Sequence, residues 1–257
     1  MKKNTFLEYD APLLTCMVQA DNPDRIKELI SKAKPEGAEA FGMQFCRMKP
    51  EYRNKEIYRE LFDFAFPMPV YVTNYRGHGY NKEKSDDILA LELLEFAECG
   101  ATLCDVMGDY FDPTEGELTM NEEAIKKQRE LIDGLHARGA EVLMSSHVLK
   151  YTPAERVLEI ALEHQRRGAD ICKIVTKANN MTEQIENMRI IDLLKRELDI
   201  PFLFLCGGEC RIMRCVGGEL GCCMYLCVQE YDELATRSQP LLRDVKNIRD
   251  NLRKGAI

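Results

Sequence analysis

The most constraining feature of this sequence is a short phrase that recurs four times, in which a charged helical stretch ends in Gly-Ala and an apolar run follows. The four copies are PEGAEAFGMQF at 35–45, ECGATLCDVMG at 98–108, ARGAEVLMSSH at 137–147 and RRGADICKIVT at 166–176. Glycine just past a helix end can adopt the left-handed conformation that closes the last turn, and the apolar run after it is typical of a buried strand. Each phrase therefore predicts a helix-to-strand junction of an α/β fold.

Four further apolar runs complete a predicted set of eight strands. They are LLTCMVQA at 13–20, PVYVTN at 69–74, PFLFLCG at 201–207 and CCMYLCV at 222–228. Between nearly all strands, apolar residues recur at spacings of three and four among charged ones, which is typical of amphipathic helices. These stretches lie near 23–34, 52–64, 86–98, 121–138, 154–167, 181–198 and 239–254, with Asn121 and Thr152-Pro153 as suitable helix starts.

Eight apolar strands alternating with helices over 257 residues predict a (β/α)8 TIM barrel, with a single domain over residues 1–257. An open, doubly wound sheet is the alternative. The residues after the first strand, MVQADNPDRI, carry no Gly-x-Gly-x-x-Gly turn, which disfavours that sheet and a nucleotide cofactor with it. The two glycine pairs, Gly207-Gly208 and Gly217-Gly218, are expected in loop turns.

The net charge of −8 argues against a nucleic-acid surface, because phosphate binding depends on clustered lysines and arginines. The N-terminal residues MKKNTFLEYDAP lack the apolar stretch of about 7–15 residues that a secretory signal needs. The other apolar runs are shorter than the roughly 20 residues required to cross a bilayer. We therefore expect a cytoplasmic protein that binds small metabolites and neither nucleic acid nor membrane.

The eleven cysteines are expected to be free thiols in a cytoplasmic protein. Six of them fall within residues 206–227, so a zinc site is the alternative to simple core packing. Cys206-Gly-Gly-Glu-Cys210 fits the usual Cys-x2–4-Cys spacing loosely, but no clean second pair follows. Small core cysteines are therefore the expectation, with no metal and no other cofactor.

In a barrel, catalytic groups come from the carboxyl ends of the strands and from the loops after them. Polar residues at the predicted strand ends, or in the loop after strand seven, are Gln44, Arg47, Asn74, Tyr75, Arg76, Asp105, Ser145, Ser146, His147, Lys173, Glu209 and Arg214.

Lys173 is the most informative of these residues because it lies within an otherwise apolar strand, ADICKIVT. Both faces of a barrel strand are covered, and burial disfavours the charged form of an amine. A neutral amine can attack a ketone to form an imine, so we predict Schiff-base chemistry at Lys173. A lysine that pairs with a carboxylate, or that extends to the barrel rim, is the alternative.

His147 ends the preceding predicted strand, at a height where its imidazole and Lys173 can reach the same substrate. Histidine is the usual proton shuttle near neutral pH, although a capping or packing role is the alternative for a histidine in such a turn. His78 is a looser candidate. His136 and His164 lie in helices among charged residues and are expected to be solvated.

Arg76 and Arg214 follow predicted strands, and each can present a planar fork to a carboxylate. This pattern favours a small anionic acid as the ligand. Solvated surface arginines are the alternative.

These motifs resemble those of the type I 3-dehydroquinate dehydratases, the Schiff-base lyases of the shikimate pathway, over almost the whole chain. Residues 145–153, SSHVLKYTP, are similar to the family's serine-x-histidine segment that closes on threonine-proline. Residues 169–174, ADICKI, resemble its alanine-aspartate-isoleucine-x-lysine strand, and residues 72–76, VTNYR, resemble the strand that ends in threonine-phenylalanine-arginine. Arg214 and Gly221-Cys222 are similar to its serine-arginine segment leading to glycine-serine, and Gln239 matches a late substrate-binding glutamine.

The resemblance implies a homodimeric barrel that removes water from 3-dehydroquinate, a small anionic keto acid, to give 3-dehydroshikimate through an imine. It implies that Lys173 forms the imine, and that His147 removes the C2 proton and then protonates the departing hydroxyl. It further implies that Arg214 binds the substrate carboxylate. Three other residues would bind hydroxyls or frame the site: Arg76, Gln239 and Gln44.

The sequence departs from the family's pattern where two carboxylates are expected. The strand-two motif glutamate-x-arginine reads Gln44-Phe45-Cys46-Arg47, so a carboxylate is missing and Arg47 is a candidate for the displaced arginine. The glutamate expected after Arg76 to assist the histidine is matched by Tyr80, with Glu83 three residues on.

Two smaller departures are Val148, in place of an acidic or amide residue, and Cys222, in place of a serine. The residues predicted to form and process the imine, Lys173 and His147, therefore follow the family's pattern more closely than the residues predicted to bind the substrate. This leaves two alternatives open: a related imine-forming lyase or aldolase acting on another polyhydroxylated keto acid, and a non-catalytic binding relative.

Overall fold

The computed structural model describes residues 4–254. The strands are β1 (Leu13–Val18), β2 (Ala40–Gln44), β3 (Val70–Thr73), β4 (Leu103–Met107), β5 (Glu141–His147), β6 (Ile171–Lys177), β7 (Phe202–Gly207) and β8 (Met224–Cys227). The helices are α1 (Pro23–Glu36), α2 (Lys55–Ala65), α3 (Asp86–Cys99), α4 (Glu122–His136), α5 (Ala154–Arg167), α6 (Met181–Glu197), α7 (Met213–Leu220) and α8 (Leu242–Lys254).

All paired strands are parallel, in the order β7-β6-β5-β4-β3-β2-β1-β8. The seam between β7 and β8 is bridged by the main-chain N–H of Cys223, which donates to the carbonyl of Phe202 at 2.9 Å. Eight parallel strands alternating with eight helices form a (β/α)8 TIM barrel, so the predicted fold is confirmed.

The four repeated phrases are helix-to-strand junctions, as predicted. Gly37, Gly100, Gly139 and Gly168 all have the left-handed backbone, with φ values of 97°, 112°, 77° and 100°. Only glycine adopts this conformation without steric cost. Gly37, Gly100 and Gly168 therefore cap α1, α3 and α5, while Gly139 lies in the turn just after α4, and in each case the apolar run that follows enters the sheet.

Helix α7 occupies a segment that the sequence predicted as a loop. Gly217 and Gly218 lie inside this helix, and Arg214 is its second residue, so the expectation of a loop turn here is wrong. Glycine is disfavoured in helices by about 1 kcal/mol, so a pair of glycines predicts a loop and not a helix. A Cβ at Gly218 would lie 2.4 Å from the ring of Tyr225, so close packing on β8 requires glycine.

Lys173 points into the barrel lumen, because its side chain contacts residues of β3 and β4 across the sheet. Alternation along β6 then places Val175, one layer nearer the carboxyl ends, on the same side. The lumen is therefore packed by side chains around Lys173 and opens toward the strand ends.

All eleven cysteines are free thiols. Of the six within residues 206–227, Cys206, Cys222 and Cys227 are buried, as expected of core cysteines, whereas the other three are only partly buried: Cys210, Cys215 and Cys223. Within residues 4–254, the side chains of His, Cys, Asp and Glu form no group of three that could hold a metal ion. Across the same residues, the helices are too short or too polar to cross a membrane.

Candidate active site

A cavity of about 390 Å³ opens at the carboxyl ends of the strands. Its lining includes both predicted catalytic residues, Lys173 and His147. It also includes all the residues predicted to bind substrate: Gln44, Arg47, Arg76, Arg214 and Gln239. The structure thus brings together in one compartment every site residue predicted from the sequence.

Lys173 is buried, but its surroundings are polar. Its Nζ lies 3.0 Å from Oδ2 of Asp105, 2.5 Å from the hydroxyl of Tyr75 and 3.1 Å from the hydroxyl of Tyr71. The side chains of Lys173 and Asp105 are 4% and 0% exposed. A buried carboxylate therefore faces the amine, which is the pairing that the sequence left open as the alternative for this lysine.

Asp105 gathers the hydroxyls around the amine. Its carboxylate accepts hydrogen bonds from Ser145 Oγ at 2.5 Å, from the Tyr75 hydroxyl at 2.6 Å and from the Tyr71 hydroxyl. Burial alone raises the pKa of Asp105, but the charge of Lys173 and these hydrogen bonds outweigh burial and leave the pKa below its ordinary value. We call Lys173, Asp105, Tyr71, Tyr75 and Ser145 the amine cluster.

The two tyrosines keep their protons at neutral pH. Burial, and then the negative charge of Asp105, raise the pKa of both Tyr71 and Tyr75 well above the ordinary value for a phenol. Both phenols are therefore hydrogen-bond donors to Asp105. The sequence predicted no role for either residue, although Tyr75 is among the polar residues at the predicted strand ends.

His147 ends β5, one layer nearer the mouth than Lys173, since Ser145 pairs with Lys173 and His147 pairs with Val175. Its Nδ1 lies 2.6 Å from Oε2 of Glu117, and its main-chain N–H donates to the same oxygen at 3.0 Å. A carboxylate on one ring nitrogen orients the ring and leaves Nε2 for the substrate.

Glu117 supplies the carboxylate that the sequence seemed to lack. Tyr80, the matched position after β3, is 45% exposed, and Glu83 is exposed as well. The histidine's partner comes instead from the loop between β4 and α4. That loop packs closely on β5, because a Cβ at Gly108 would lie 3.0 Å from Oγ of Ser146.

His164 supports this loop from behind. Its Nε2 lies 3.0 Å from Ser146 Oγ, which donates to the carbonyl of Glu117 at 2.6 Å. The expectation that His164 is solvated is wrong, since the residue is 0% exposed and burial lowers its pKa to about 3. His164 lies on the buried face of α5, and the charged residues next to it in the sequence led to the wrong expectation. His136 is more exposed and pairs with Asp170 at 2.7 Å.

The two arginines predicted to bind a carboxylate differ in what already holds them. Both nitrogens on one edge of Arg76 donate to Asp86 at 2.7 Å, and Asp109 accepts at 3.2 Å and 3.3 Å. Arg214 is 8% exposed, and Nε donates to the carbonyl of Cys206 at 2.9 Å. Among the described residues, its remaining guanidinium N–H groups have no partner, so Arg214 can accept an anion and Arg76 frames the wall.

Gln239 and Gln44 present amide groups to the cavity. The amide oxygen of Gln239 accepts from Gln19 at 3.1 Å, and Gln19 accepts from Thr236 at 2.9 Å, which leaves the Gln239 NH2 group free to donate. Gln44 is partly buried, with its NH2 group 3.2 Å from the sulfur of Cys46.

Arg47 and His78 lie nearer the mouth of the cavity. The Nε of Arg47 is buried and has no hydrogen-bond partner within residues 4–254, and its side chain separates this cavity from a second one. His78 is exposed, and its ring lies 6.0 Å from that of Tyr75. Both can reach a molecule that enters from outside.

The sequence model of the type I 3-dehydroquinase family matches residues 16–254. The type I 3-dehydroquinate dehydratase of Clostridium difficile, solved with covalently modified comenic acid, superposes with a TM-score of 0.80 at 17% identity, covering 96% of this chain and 94% of that one. The 3-dehydroquinate dehydratase of Geobacillus kaustophilus gives 0.79 at 14% identity, covering 95% and 92%. A search of curated proteins found no match. At these identities the solved structures establish the fold.

Proposed function

Since this chain belongs to the type I 3-dehydroquinase family, we propose that it is a carbon–oxygen lyase that dehydrates 3-dehydroquinate to 3-dehydroshikimate through an imine on Lys173. The observation that carries this proposal is the placement of Lys173 and His147 on the wall of one cavity. The cavity's volume of about 390 Å³ is within the usual range for small-molecule sites.

The imine makes the removal of a carbon-bound proton possible. Nζ of Lys173 attacks the substrate ketone, and the protonated imine then accepts the electron pair left at the neighbouring carbon. His147, held at Nδ1 by Glu117, uses Nε2 to take the C2 proton and then returns a proton to the departing hydroxyl. The elimination releases water, and hydrolysis of the product imine frees Lys173.

Binding of the substrate is assigned to the groups nearer the mouth. Arg214 is the residue for the substrate carboxylate, because its guanidinium is buried and largely without partners among the described residues. The hydroxyls are bound by the free donors of Gln239, Gln44 and Arg47, while Arg76 frames the wall. The substrate class is thus a small anionic keto acid.

A related imine-forming lyase or aldolase, acting on another polyhydroxylated keto acid, is the second candidate. It is favoured by Gln44, which replaces the glutamate of the family's strand-two motif. An amide and a carboxylate differ in how they bind hydroxyls, because the ionised carboxylate only accepts hydrogen bonds.

Borohydride trapping with 3-dehydroquinate tests the function directly. We expect reduction to add to Lys173 the mass of the trapped keto acid less one oxygen atom, because imine formation releases water and borohydride adds two hydrogens. Absorbance of the conjugated product should rise when the unreduced protein meets the substrate. Lys173→Met is the control and should show neither signal. Trapping only by other keto acids would support the second candidate, and no trapping by any keto acid would leave a binding relative.

We also propose a cytoplasmic homodimer, on the strength of the family resemblance. Light scattering of the purified protein would measure the mass in solution. A mass equal to that of one chain would contradict the dimer.

A further inference from the structure

We propose that Tyr75 carries the protons of imine formation, while His147 serves only the later elimination. This inference rests on the proposed function for its substrate. The proton transfers of imine formation are assigned to Tyr75 and those of the elimination to His147, and these two residues lie at different depths in the same cavity.

Tyr75 contacts both the nucleophile and its counterion. Its hydroxyl lies 2.5 Å from Nζ of Lys173 and 2.6 Å from Oδ2 of Asp105. Among the described residues, the hydrogen-bond partners of Nζ are Tyr75, Tyr71 and Asp105, so the imidazole of His147 is not one of them. The phenol is therefore the neutral proton donor closest to the atom that forms the new bond.

Both tyrosines line the cavity, and Tyr75 is the more accessible of the two to a substrate. Tyr75 is partly buried and lines the cavity, with its ring 5.2 Å from the ring of His147. Tyr71 is 0% exposed and contacts the same two partners from a deeper position. Tyr71 therefore positions the amine, and Tyr75 faces the ketone oxygen.

The hydroxyl of Tyr75 has no counterpart in the family motif that this strand resembles. The strand that residues 72–76 resemble ends in threonine-phenylalanine-arginine, and phenylalanine carries no proton to transfer. The additional hydroxyl contacts both Nζ and Asp105, which is the place where a proton relay is needed for imine formation.

Tyr75 and Asp105 move the protons of imine formation from nitrogen to oxygen. The ammonium of Lys173 gives one proton to Asp105, and the neutral amine forms a C–N bond to the ketone carbon while the carbonyl electron pair moves to oxygen. Tyr75 gives its proton to that oxygen and takes one from nitrogen, which yields a neutral carbinolamine. Tyr75 then protonates the carbinolamine hydroxyl while Asp105 returns its proton to the phenol. The C–O bond breaks, water leaves, and the nitrogen lone pair forms the protonated imine.

This sequence conserves charge and leaves both relay residues as they began. The protons of the ammonium end as one on the imine and two in the released water. Because the pKa of Tyr75 is raised by burial and by Asp105, the phenol does not rest as phenolate. It gives a proton only as it receives another, which is the behaviour of a relay.

The test is the rate of trapping of the full-length protein, with Tyr75→Phe compared against Tyr71→Phe. Intact mass after timed borohydride quenching measures imine formation apart from turnover, first with 3-dehydroquinate and then with levulinate, a simple keto acid. We expect Tyr75→Phe to slow trapping by about 10²-fold or more, the lower end for a positioned acid-base group. Tyr71→Phe should slow it by less than about 10-fold, and both variants should keep the wild-type circular dichroism.

Buffer rescue separates proton transfer from a merely structural role. Trapping by Tyr75→Phe should rise with the concentration of imidazole buffer at constant pH and ionic strength, whereas trapping by the wild type should not. Wild-type rates in Tyr75→Phe, equal losses in both variants, or a loss that buffer does not relieve would each overturn the proposal. Trapping of the wild type by levulinate but not by 3-dehydroquinate would overturn the proposed function alone, and the comparison of variants would then be decided on levulinate. If neither compound is trapped by the wild-type protein, both the proposed function and the role of Tyr75 would be overturned.

Discussion

The amine cluster at the bottom of the cavity and the substrate-binding residues nearer its mouth are built in opposite ways. In the amine cluster, the amine, the carboxylate and the hydroxyls that surround it are all hydrogen-bonded to one another. Nearer the mouth, Nε of Arg47 and Oγ1 of Thr73 are buried without a partner within residues 4–254. An unsatisfied buried polar group costs about 1–3 kcal/mol, which a ligand can recover. The chemistry is preorganised in this protein, and the binding groups are left for the substrate to satisfy.

The same contrast separates two residues of one type. Arg76 is saturated by Asp86 and Asp109, while the side chain of Arg214 makes one hydrogen bond to the rest of residues 4–254 and lines the cavity. A guanidinium whose N–H groups already donate to two carboxylates has few donors left for the carboxylate of a substrate. The position of an arginine after a barrel strand therefore does not by itself indicate a ligand contact.

His147→Ala should have the largest effect and tests whether the two regions act separately. We expect turnover to fall by about 10²–10⁴-fold, the usual contribution of a positioned acid-base group. Imine formation should persist, because Lys173 and its partners are untouched. Steady-state rates and borohydride trapping measure the two steps, and near-normal turnover would remove His147 from the mechanism.

Arg214→Met should have the next largest effect. Loss of a charge-assisted contact worth about 1.5–3 kcal/mol predicts a rise in KM of roughly 10- to 150-fold, with imine trapping preserved at saturating substrate. Arg76→Lys, which keeps a cation beside Asp86, is the matched control and should change KM by less than about threefold. Equal effects of both substitutions on KM would break the distinction drawn between the two arginines.

Glu117→Gln tests the carboxylate that orients His147. The amide keeps the size of the side chain but removes the charge that stabilises the imidazolium, so kcat should fall by about 10-fold while KM changes little. An unchanged kcat would show that Glu117 only holds the loop.

Gln44→Glu should have the smallest effect, and its sign tests the substrate. Restoring the carboxylate of the family's motif adds an acceptor for a substrate hydroxyl, worth about 1 kcal/mol. KM for 3-dehydroquinate should therefore fall by about fivefold, as initial-rate measurements can determine. A rise in KM would indicate that the cavity is adapted to a different keto acid.

The features that the sequence predicted correctly are those set by local patterns. The junction glycines were readable because a left-handed residue after a helix favours glycine whatever lies around it. Lys173 stood out because a charged residue within an apolar strand is conspicuous, and His147 stood out because it ends a strand.

The environment of the site was decided by tertiary structure alone. Asp105 and Tyr75 reach Lys173 from 68 and 98 residues away, because barrel closure brings inward positions of different strands to one layer. Glu117 reaches His147 from an irregular loop, where no periodicity marks which side chain turns inward. Periodicity and turn chemistry are local and determined the barrel from the sequence, whereas the partners of the amine and the imidazole depend on contacts made only when the chain has closed.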